Sequence, residues 1–556
     1  MIRSLPLLSL MLMFPLAAAA QAPEAVYTNA RIWTGDPTNP WAEALAVAGG
    51  AIVAVGAAPD VEALAGATTR TIDLGGGFVV PGFIDNHTHF LSGGFQLASV
   101  NLRDADTPAE FARRLGAFAE TLSDDEDRWI TGGDWDHERW GGELPHRDWI
   151  DRLTAGRPVF VNRLDGHMAL ANTAALERAG ITAETPDPEG GTIVRDPATG
   201  APTGVLKDEA MSLVYRVMPP PTEAALDEAL DRAMDHALAL GVTQVHDVGS
   251  FGGWTDLATF RRAHAAGRLR LRVYSLVPLA TWPRLAEYRA EHGLGDDDLR
   301  WGGLKAFVDG SLGSTTAWFY DPYDDAPETA GLVVTDTTLL RQWILDADAA
   351  GLHLAIHAIG DRANDWLLDR YEETAAANGP RDRRHRIEHA QHLTPEAIRR
   401  IARLGVVPSM QPYHAIDDGR WAEKRIGPER IQTTYAFASL LGAGATLTFG
   451  SDWTVAPLSP LEGIYAAVTR RTFDGAHPEG WVPGQKISVA QALRAYTAHN
   501  AYAGFQEERL GMLAPGRYAD FVVLSEDLFE IDPVAIPAVR VLRTVVGGRE
   551  RFVAGE

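Results

Sequence analysis

The amino-acid sequence predicts an α/β protein: a (β/α)8 TIM barrel with an inserted cap region and a small β-sandwich built from both chain termini. Three observations predict this fold. Eight apolar, β-prone segments occur along the chain, and helix-like stretches with apolar residues three and four positions apart separate most of them. Polar residues that can bind a metal follow several of these segments. The 556 residues suit a barrel that carries an insertion.

The eight candidate strands are spread over most of the chain. They cover residues 79–86, 242–248, 271–278, 303–308, 353–359, 385–389, 406–411 and 445–451. Segments such as 226–240 and 336–350 have the apolar spacing of the helices between them. The interval between the first two strands is too long for one crossover. We therefore predict a barrel over 79–504 with an insertion at about 100–240.

Within the insertion, residues 157–162 indicate a further strand, and the Gly- and Pro-rich stretch 187–206 indicates a β-hairpin. Tryptophans are concentrated just before these elements, at Trp129, Trp135, Trp140 and Trp149. They form either the packed core of a cap or the aromatic wall of a pocket, and the core is the favoured interpretation.

The chain termini predict the remaining elements. Residues 21–78 and 505–556 contain short strands broken by turns, which we assign to one small β-sandwich beside the barrel. Residues 1–20 have the charged start, short apolar run and small-residue end of a secretory signal peptide, with cleavage after Ala20. We therefore expect a periplasmic or secreted protein of a Gram-negative bacterium, and an N-terminal anchor is the less favoured alternative.

Composition restricts the partners. The chain carries 74 acidic and 50 basic residues, and its net charge of −24 disfavours nucleic acid and anionic membranes. It has no cysteine, so its stability outside the cytoplasm must come from packing. We expect a small-molecule substrate and no stable membrane insertion, and the sequence leaves a homo-oligomer open.

Candidate metal ligands stand at or after the ends of the predicted strands. His87 and His89 are two residues apart, so on a strand they project from the same face and can hold one ion. His357, His389 and Asp452 each close another apolar segment. In a (β/α)8 barrel such strand ends converge on one face, where the active site lies. The alternative for Asp452 is a helix N-cap.

Lys305 is a further candidate because lysine is rare in this chain, with four Lys against 46 Arg. It lies in an apolar segment that predicts a buried strand, and burial lowers the pKa of an amine toward its neutral form. A neutral amine can take up carbon dioxide to give a carbamate that bridges two cations. The alternative is an ion-paired or snorkelling lysine.

Several motifs together resemble the amidohydrolase superfamily, and within it the metal-dependent hydrolases of the N-substituted formamide deformylase-like branch. The motifs are 80–89 with the paired histidines, Asp165-Gly166-His167, Lys305 with 309–314, 357–361, 387–389, 450–452, and 510–520. The resemblance covers nearly the whole chain after about residue 25. It implies a distorted (β/α)8 barrel whose metal ligands are His87, His89, a carboxylated Lys305, His357, His389 and Asp452.

The predicted activity is metal-dependent hydrolysis of an amide-type C–N bond in an N-formyl, N-acyl or related small substrate. One or two divalent ions, with Zn²⁺ preferred, would activate water, and Asp452 would act as general base and then general acid. Candidate substrate-binding residues are His167, Asp309, Tyr413 and His414. The alternatives are hydrolysis of an ester, lactone or carbamate at the same site, and a periplasmic binding protein that has retained the barrel without catalysis.

Overall fold

The computed structural model describes residues 22–122, 129–154 and 156–555, so the predicted signal peptide lies outside the described residues. Eight strands form one sheet in which every paired neighbour is parallel. They are β1 (Phe83–Thr88), β2 (Val242–Asp247), β3 (Arg272–Pro278), β4 (Leu299–Phe307), β5 (His353–Ala358), β6 (Arg386–His389), β7 (Val407–Met410) and β8 (Thr448–Phe449). Each overlaps one of the predicted strands.

Backbone contacts bring the two edges of this sheet together. Thr88 forms a parallel bridge with Trp453. The His89 N–H donates to the Trp453 carbonyl over 2.7 Å, and the Asp452 N–H donates to the His87 carbonyl over 2.8 Å. The sheet is therefore a nearly closed TIM-like barrel, and the closure places Asp452 beside the end of β1.

Helices separate the strands, as the alternating pattern predicts. They are α1 (Glu223–Ala239) before β2, α2 (Trp254–Ala265), α3 (Trp282–His292), α4 (Thr337–Ala349), α5 (Asp361–Asn378), α6 (Pro395–Leu404), α7 (Phe437–Gly442) and α8 (Pro460–Thr469). Other helices at the barrel are Phe90–Gln96, Pro412–Asp418, Ala422–Arg430, Val489–Ala495 and Ala498–Ala503. Among the described residues, no helix has both the length and the apolar character needed to cross a membrane.

The first predicted strand, 79–86, is two strands in the structure. Phe78–Pro81 pairs with strands of the chain termini, and β1 begins only at Phe83. Gly82 lies between them, and a Cβ atom there would come within 2.3 Å of the Thr243 side chain. The continuous apolar segment hid this change of sheet, because both strands are buried.

Strands from both termini form two further sheets. One contains Ala25–Thr28, Ala44–Ala48, Ala51–Gly56 and Arg70–Asp73. The other contains Arg31–Trp33, Trp41–Ala42, Phe78–Pro81, Phe521–Leu524, Val541–Val546 and Arg549–Val553. Side chains of both sheets share one hydrophobic cluster, in which the rings of Tyr27 and Phe521 meet edge to face at 4.9 Å.

The chain between β1 and α1 builds a six-stranded mixed sheet. Its strands are Val100–Asn101, Ile130–Trp135, Val159–Arg163, Met168–Ala171, Gly191–Arg195 and Pro202–Asp208. The last two pair antiparallel and form the predicted hairpin. Helices Pro108–Thr121 and Thr173–Ala179 accompany the sheet, and it is called the inserted sheet below.

The clustered tryptophans mostly pack inside the inserted region. Trp135 is fully buried, and Trp140 and Trp149 pack against the same hydrophobic cluster around Phe111. Trp129 packs against a second cluster and also lines a large cavity. The core interpretation therefore holds for three of the four, whereas Trp129 takes part in both a core and a cavity wall.

Candidate metal centre

The candidate ligands lie together at the carboxyl-terminal end of the barrel. His87 belongs to β1, His89 follows it, Lys305 lies in β4, His357 in β5, His389 ends β6, and Asp452 follows β8. Five of them are buried, and the sixth, His89, keeps 28% of its side chain exposed toward the cavity. The barrel thus collects six residues from distant parts of the sequence into one polar cluster.

Asp452 stands at the centre of the imidazoles. One of its carboxylate oxygens lies 3.5 Å from His87 Nε2 and 3.4 Å from His89 Nε2, and the other lies 4.0 Å from His389 Nδ1. Ligand atoms of His87, His389 and Asp452 all fall within 4.8 Å of one another. Lys305 Nζ is 3.2 Å from His87 Nε2. These separations are short enough for shared coordination of an ion.

Each of the four histidines has one ring nitrogen occupied by an oxygen acceptor. The partners are Glu388 for His87 Nδ1, the Gly249 carbonyl for His89 Nδ1 (2.6 Å), the Gly310 carbonyl for His357 Nε2 (3.0 Å) and Gln411 Oε1 for His389 Nδ1 (2.7 Å). A ring N–H that donates in this way leaves the other nitrogen with a free lone pair. Second partners of this kind orient metal-binding histidines in general. The residues present therefore fit a divalent cation.

Two of these residues have left-handed backbone conformations. His389 has φ 74° and Asp452 has φ 57°. Such conformations are uncommon for residues with a Cβ atom, and they concentrate at functional sites. Adjacent residues of a strand normally point to opposite faces. Because His389 has a left-handed conformation, Glu388 and His389 are adjacent and yet both contact the cluster.

Burial favours the neutral forms of the basic groups. Desolvation, followed by the nearby Lys305 charge, lowers the pKa of His87 to about 4. Desolvation also lowers the pKa of Lys305 to about 8, although Glu388 and Asp452 act in the opposite direction. A neutral imidazole is the form that binds a metal, and a neutral amine is the form that reacts with carbon dioxide.

A buried ion pair between Arg386 and Glu388 orients the His87 ring. Arg386 donates to Glu388 through Nε over 2.6 Å and through Nη2 over 2.9 Å, and Ser409 Oγ donates to the same carboxylate over 2.7 Å. Burial acts to raise the pKa of Glu388, but the Arg386 guanidinium outweighs it and holds that pKa well below its usual range. This role of Glu388 is not evident from the sequence, because it depends on a contact made only in the folded barrel.

Two of the predicted substrate-binding residues line the cavity above the cluster. His167 reaches it from the inserted sheet, and its Nδ1 lies 2.9 Å from Asp208 Oδ1. Burial acts to lower the pKa of His167, but the Asp208 carboxylate outweighs it and raises that pKa. His414 also lines the cavity, with its ring 6.4 Å from that of His389.

The other two do not line this cavity. Asp309 is fully buried, and its carboxylate accepts hydrogen bonds from the N–H groups of Trp318, Ile359 and Gly360. It holds the turn after β5 in place and lies 3.6 Å from His357 Nε2, and its assignment to substrate binding stays a prediction. Tyr413 packs its ring against Phe473 at 4.9 Å and is likewise absent from the cavity lining.

The cavity over the cluster has a volume of about 130 Å³. Besides the candidate ligands, the barrel contributes Phe307, Leu312 and Ile359, and the segment after β7 contributes Trp421. The inserted sheet contributes Arg163 from its strand Val159–Arg163, and the turn that follows this strand contributes Leu164, Asp165 and His167. Both the barrel and the insertion therefore shape the space in which a substrate would meet the cluster.

Two orienting residues had weak sequence signals. Gln411 follows β7 and holds His389, and Asp85 in β1 accepts hydrogen bonds from the Ser451 and His87 N–H groups. Each is a polar residue inside or directly after an apolar strand, which is the pattern that identified the ligands. Applied to every strand, that pattern would have included both.

Comparison with known proteins agrees with this geometry. Residues 70–552 match the amidohydrolase family. Similar proteins are LONG AFTER FAR-RED 3 from Arabidopsis thaliana, 43% identical over 95% of this chain and 91% of that one, and N-substituted formamide deformylase from Arthrobacter pascens, 30% identical over 96% and 99%. The crystal structure of an uncharacterized metal-dependent hydrolase from Pyrococcus horikoshii OT3 covers 92% of this chain and 99% of its own, with a TM-score of 0.74 and 28% identity.

The barrel and its buried imidazole and carboxylate groups define a metal-dependent hydrolase. The extent of the family match then identifies it further: the chain belongs to the amidohydrolase family.

Proposed function

We propose that this protein hydrolyses an amide-type C–N bond of an N-formyl, N-acyl or related small substrate. The observation that carries the proposal is the position of Asp452, whose carboxylate lies within 3.4 to 4.0 Å of three imidazoles beneath a cavity. A carboxylate in that position is close both to a candidate metal and to the space for a substrate.

His87, His89, His357, His389 and Asp452 would hold one or two divalent ions, with Zn²⁺ favoured by imidazole and carboxylate donors. When bound, such an ion lowers the pKa of water and polarises the scissile carbonyl. The chain's own contribution is to fix each imidazole through its second partner, so that the free nitrogens are oriented before an ion arrives.

Lys305 is proposed to be carboxylated. Its neutral Nζ would attack carbon dioxide, forming an N–C bond and releasing one proton, which yields a carbamate anion. Its surroundings support this step, since Nζ is buried beside His87 and its pKa is lowered to about 8. The two carbamate oxygens would add two donor atoms to the cluster.

Asp452 is proposed to move the proton of the reaction. It would accept a proton from the attacking water and return it to the leaving nitrogen, which departs as an amine. Its backbone is fixed through the hydrogen bond to the His87 carbonyl. His167, oriented by Asp208, would donate to an oxygen of the substrate from the cap side.

The comparisons support this substrate class. The relative from Arthrobacter pascens is named as a deformylase of N-substituted formamides, and its likeness extends over nearly the whole of both chains. The residues assigned here to metal binding and proton transfer fall inside the matched range 70–552.

A panel of amides tests the proposal. Purified protein is stripped with a chelator, reloaded with Zn²⁺ in bicarbonate buffer, and assayed for release of free amine from N-formyl and N-acyl amides. We expect hydrolysis that disappears on stripping and returns on reloading. Matched esters serve as the control: cleavage of esters without any amide would reject the C–N assignment, and no turnover of either would reject hydrolysis.

We also propose roles for the inserted sheet, the two terminal sheets and the N-terminal sequence. The inserted sheet is proposed to act as a cap, because its residues line the cavity opposite the barrel. The two terminal sheets are proposed to form a small β-sandwich around their shared cluster. Export with cleavage after Ala20 is proposed from the N-terminal sequence, and N-terminal sequencing of the protein recovered from a periplasmic fraction would test it.

A further inference from the structure

A second, much larger cavity lies beside the candidate metal centre. Its volume is about 1340 Å³, against about 130 Å³ for the cavity over the cluster. Aromatic side chains are prominent in its walls: Phe95, Trp129, Phe160, Tyr215, Phe251 and Trp254. Phe95, Phe251 and Trp254 come from the segments after β1 and β2, whereas Trp129 and Phe160 belong to the inserted region. This space is called the aromatic groove below.

The aromatic groove adjoins the active-site cavity. The two spaces share the lining residues His89, Leu164, Asp165 and Val455. His89 is also the one candidate ligand whose side chain is substantially exposed, at 28%. A molecule bound at the cluster can therefore extend past His89 into the groove without leaving the protein surface.

Size indicates how a substrate would divide between the two spaces. A cavity of roughly 150 Å³ holds a molecule the size of benzene, whereas drug-sized ligands occupy roughly 300 to 1000 Å³. The cavity over the cluster is thus filled by the reacting amide and a few neighbouring atoms. The bulk of any larger substrate needs the aromatic groove.

The groove is lined by many polar and charged side chains as well as by the aromatic rings, so its walls are mixed in character. The Asp134 carboxylate accepts hydrogen bonds from Asn162 Nδ2 over 2.8 Å and from Gln96 Nε2. In the described part of the chain, the buried indole N–H of Trp129 has no hydrogen-bond partner. The aromatic rings in the walls therefore suit a ring system of the ligand, which can pack against them.

We propose that the aromatic groove binds an extended aromatic or apolar arm of the amide substrate while the scissile bond lies over Asp452. This inference rests on the proposed function and narrows it from small amides in general to amides with a large hydrophobic arm. Burial of such an arm against aromatic rings stabilises the complex through the hydrophobic effect and ring contacts.

Three amides test the proposal: N-methylacetamide, N-biphenylmethyl acetamide with the arm on nitrogen, and N-methyl biphenylacetamide with the arm on the acyl side. We expect the wild-type enzyme to cleave one of the two biphenyl amides with a kcat/KM at least tenfold above that of N-methylacetamide. Whichever biphenyl amide is preferred identifies the half of the substrate that occupies the groove.

Two tryptophan substitutions on helix α2 provide the matched variants. Ala258 lines the groove, so Ala258→Trp should fill part of it and reduce the preference for the biphenyl amide to less than a third of the wild-type ratio. Ala265 is an exposed alanine at the other end of the same helix and does not line the groove. Ala265→Trp should therefore keep both the preference and the rate.

Binding measured by calorimetry separates this inference from the proposed function. Asp452→Asn protein is titrated with each biphenyl amide, with and without Ala258→Trp, so that no turnover is required. Binding that Ala258→Trp weakens by threefold or more supports the groove even if no amide is hydrolysed. Cleavage of N-methylacetamide as fast as both biphenyl amides, or equal binding with and without Ala258→Trp, would overturn it.

Discussion

Two buried arginine–carboxylate pairs flank the active-site cavity, one in the barrel and one in the inserted sheet. In both, the carboxylate follows the arginine by two residues: Arg386 lies 2.6 Å from Glu388, and Arg163 lies 2.7 Å from Asp165. Glu388 is fully buried and holds His87, whereas Asp165 is 11% exposed and lines the cavity. The same kind of pair thus supports a candidate ligand in the barrel and lines the cavity in the inserted sheet.

Exposure to the cavity, and not the sequence spacing of the two residues, separates the two roles. Among the described residues, Glu388 is the one carboxylate within ion-pair distance of Arg386. Arg163 has a second carboxylate partner, since Asp136 lies 3.4 Å away. We therefore expect the barrel pair to matter for stability and metal binding, and the cap pair to matter for substrate binding.

Of the two pairs, the barrel pair should show the larger effect on stability and metal binding, tested by Glu388→Gln. This change removes the only carboxylate partner of Arg386 in the described chain and replaces the charged acceptor that orients His87 by a neutral amide. Leaving a buried charge unpaired costs about 3 to 5 kcal/mol, and losing the second partner of a ligand lowers metal affinity roughly 10- to 100-fold. Denaturant unfolding and metal titration check both effects. If the variant kept wild-type stability and wild-type metal affinity, the pair would not support the fold or the metal centre.

A smaller and different effect is expected for Asp165→Asn. Arg163 keeps Asp136 as a partner, so stability should change much less than in Glu388→Gln. Loss of a charged hydrogen-bonding group in the cavity should lower kcat/KM about 10- to 100-fold, with metal content unchanged. Steady-state kinetics and metal analysis on one preparation measure both quantities. A loss of metal in this variant would mean that both pairs affect metal binding, which would contradict the separate roles assigned to them.

The barrel was predictable from the sequence because parallel strands buried on both faces appear as apolar segments. The histidine and aspartate ligands were found because they stand at or after the ends of such segments, and Lys305 was found because lysine is rare in this chain and because it lies inside one. Glu388 was not recognised, since its role depends on His87, which is 301 residues away and approaches only in the folded barrel. The contacts of Asp309 could not be predicted for the same reason: its carboxylate accepts hydrogen bonds from backbone N–H groups after β5 and lies 3.6 Å from His357 Nε2, and these contacts form only in the folded barrel. The roles of the six candidate ligands stay predictions.

The smallest effect is expected for Tyr413→Phe. The Tyr413 ring packs on Phe473 outside the cavity lining, so removing its hydroxyl should change kcat/KM less than twofold. His414→Phe, at the adjacent position inside the cavity, is the comparison variant and should lower kcat/KM by more than tenfold. Similar losses in both variants would mean that Tyr413 reaches the substrate after all.

The central claim is that the buried cluster holds a metal and that Asp452 moves the proton. Zinc per chain and kcat measured on the same preparation of Asp452→Asn test it most directly. We predict at least one equivalent of zinc in the wild type, most of it retained in the variant, and a kcat lower by about 10² to 10⁴-fold. A wild type that binds no zinc under any loading condition, or a variant with near-wild-type kcat, would contradict the account.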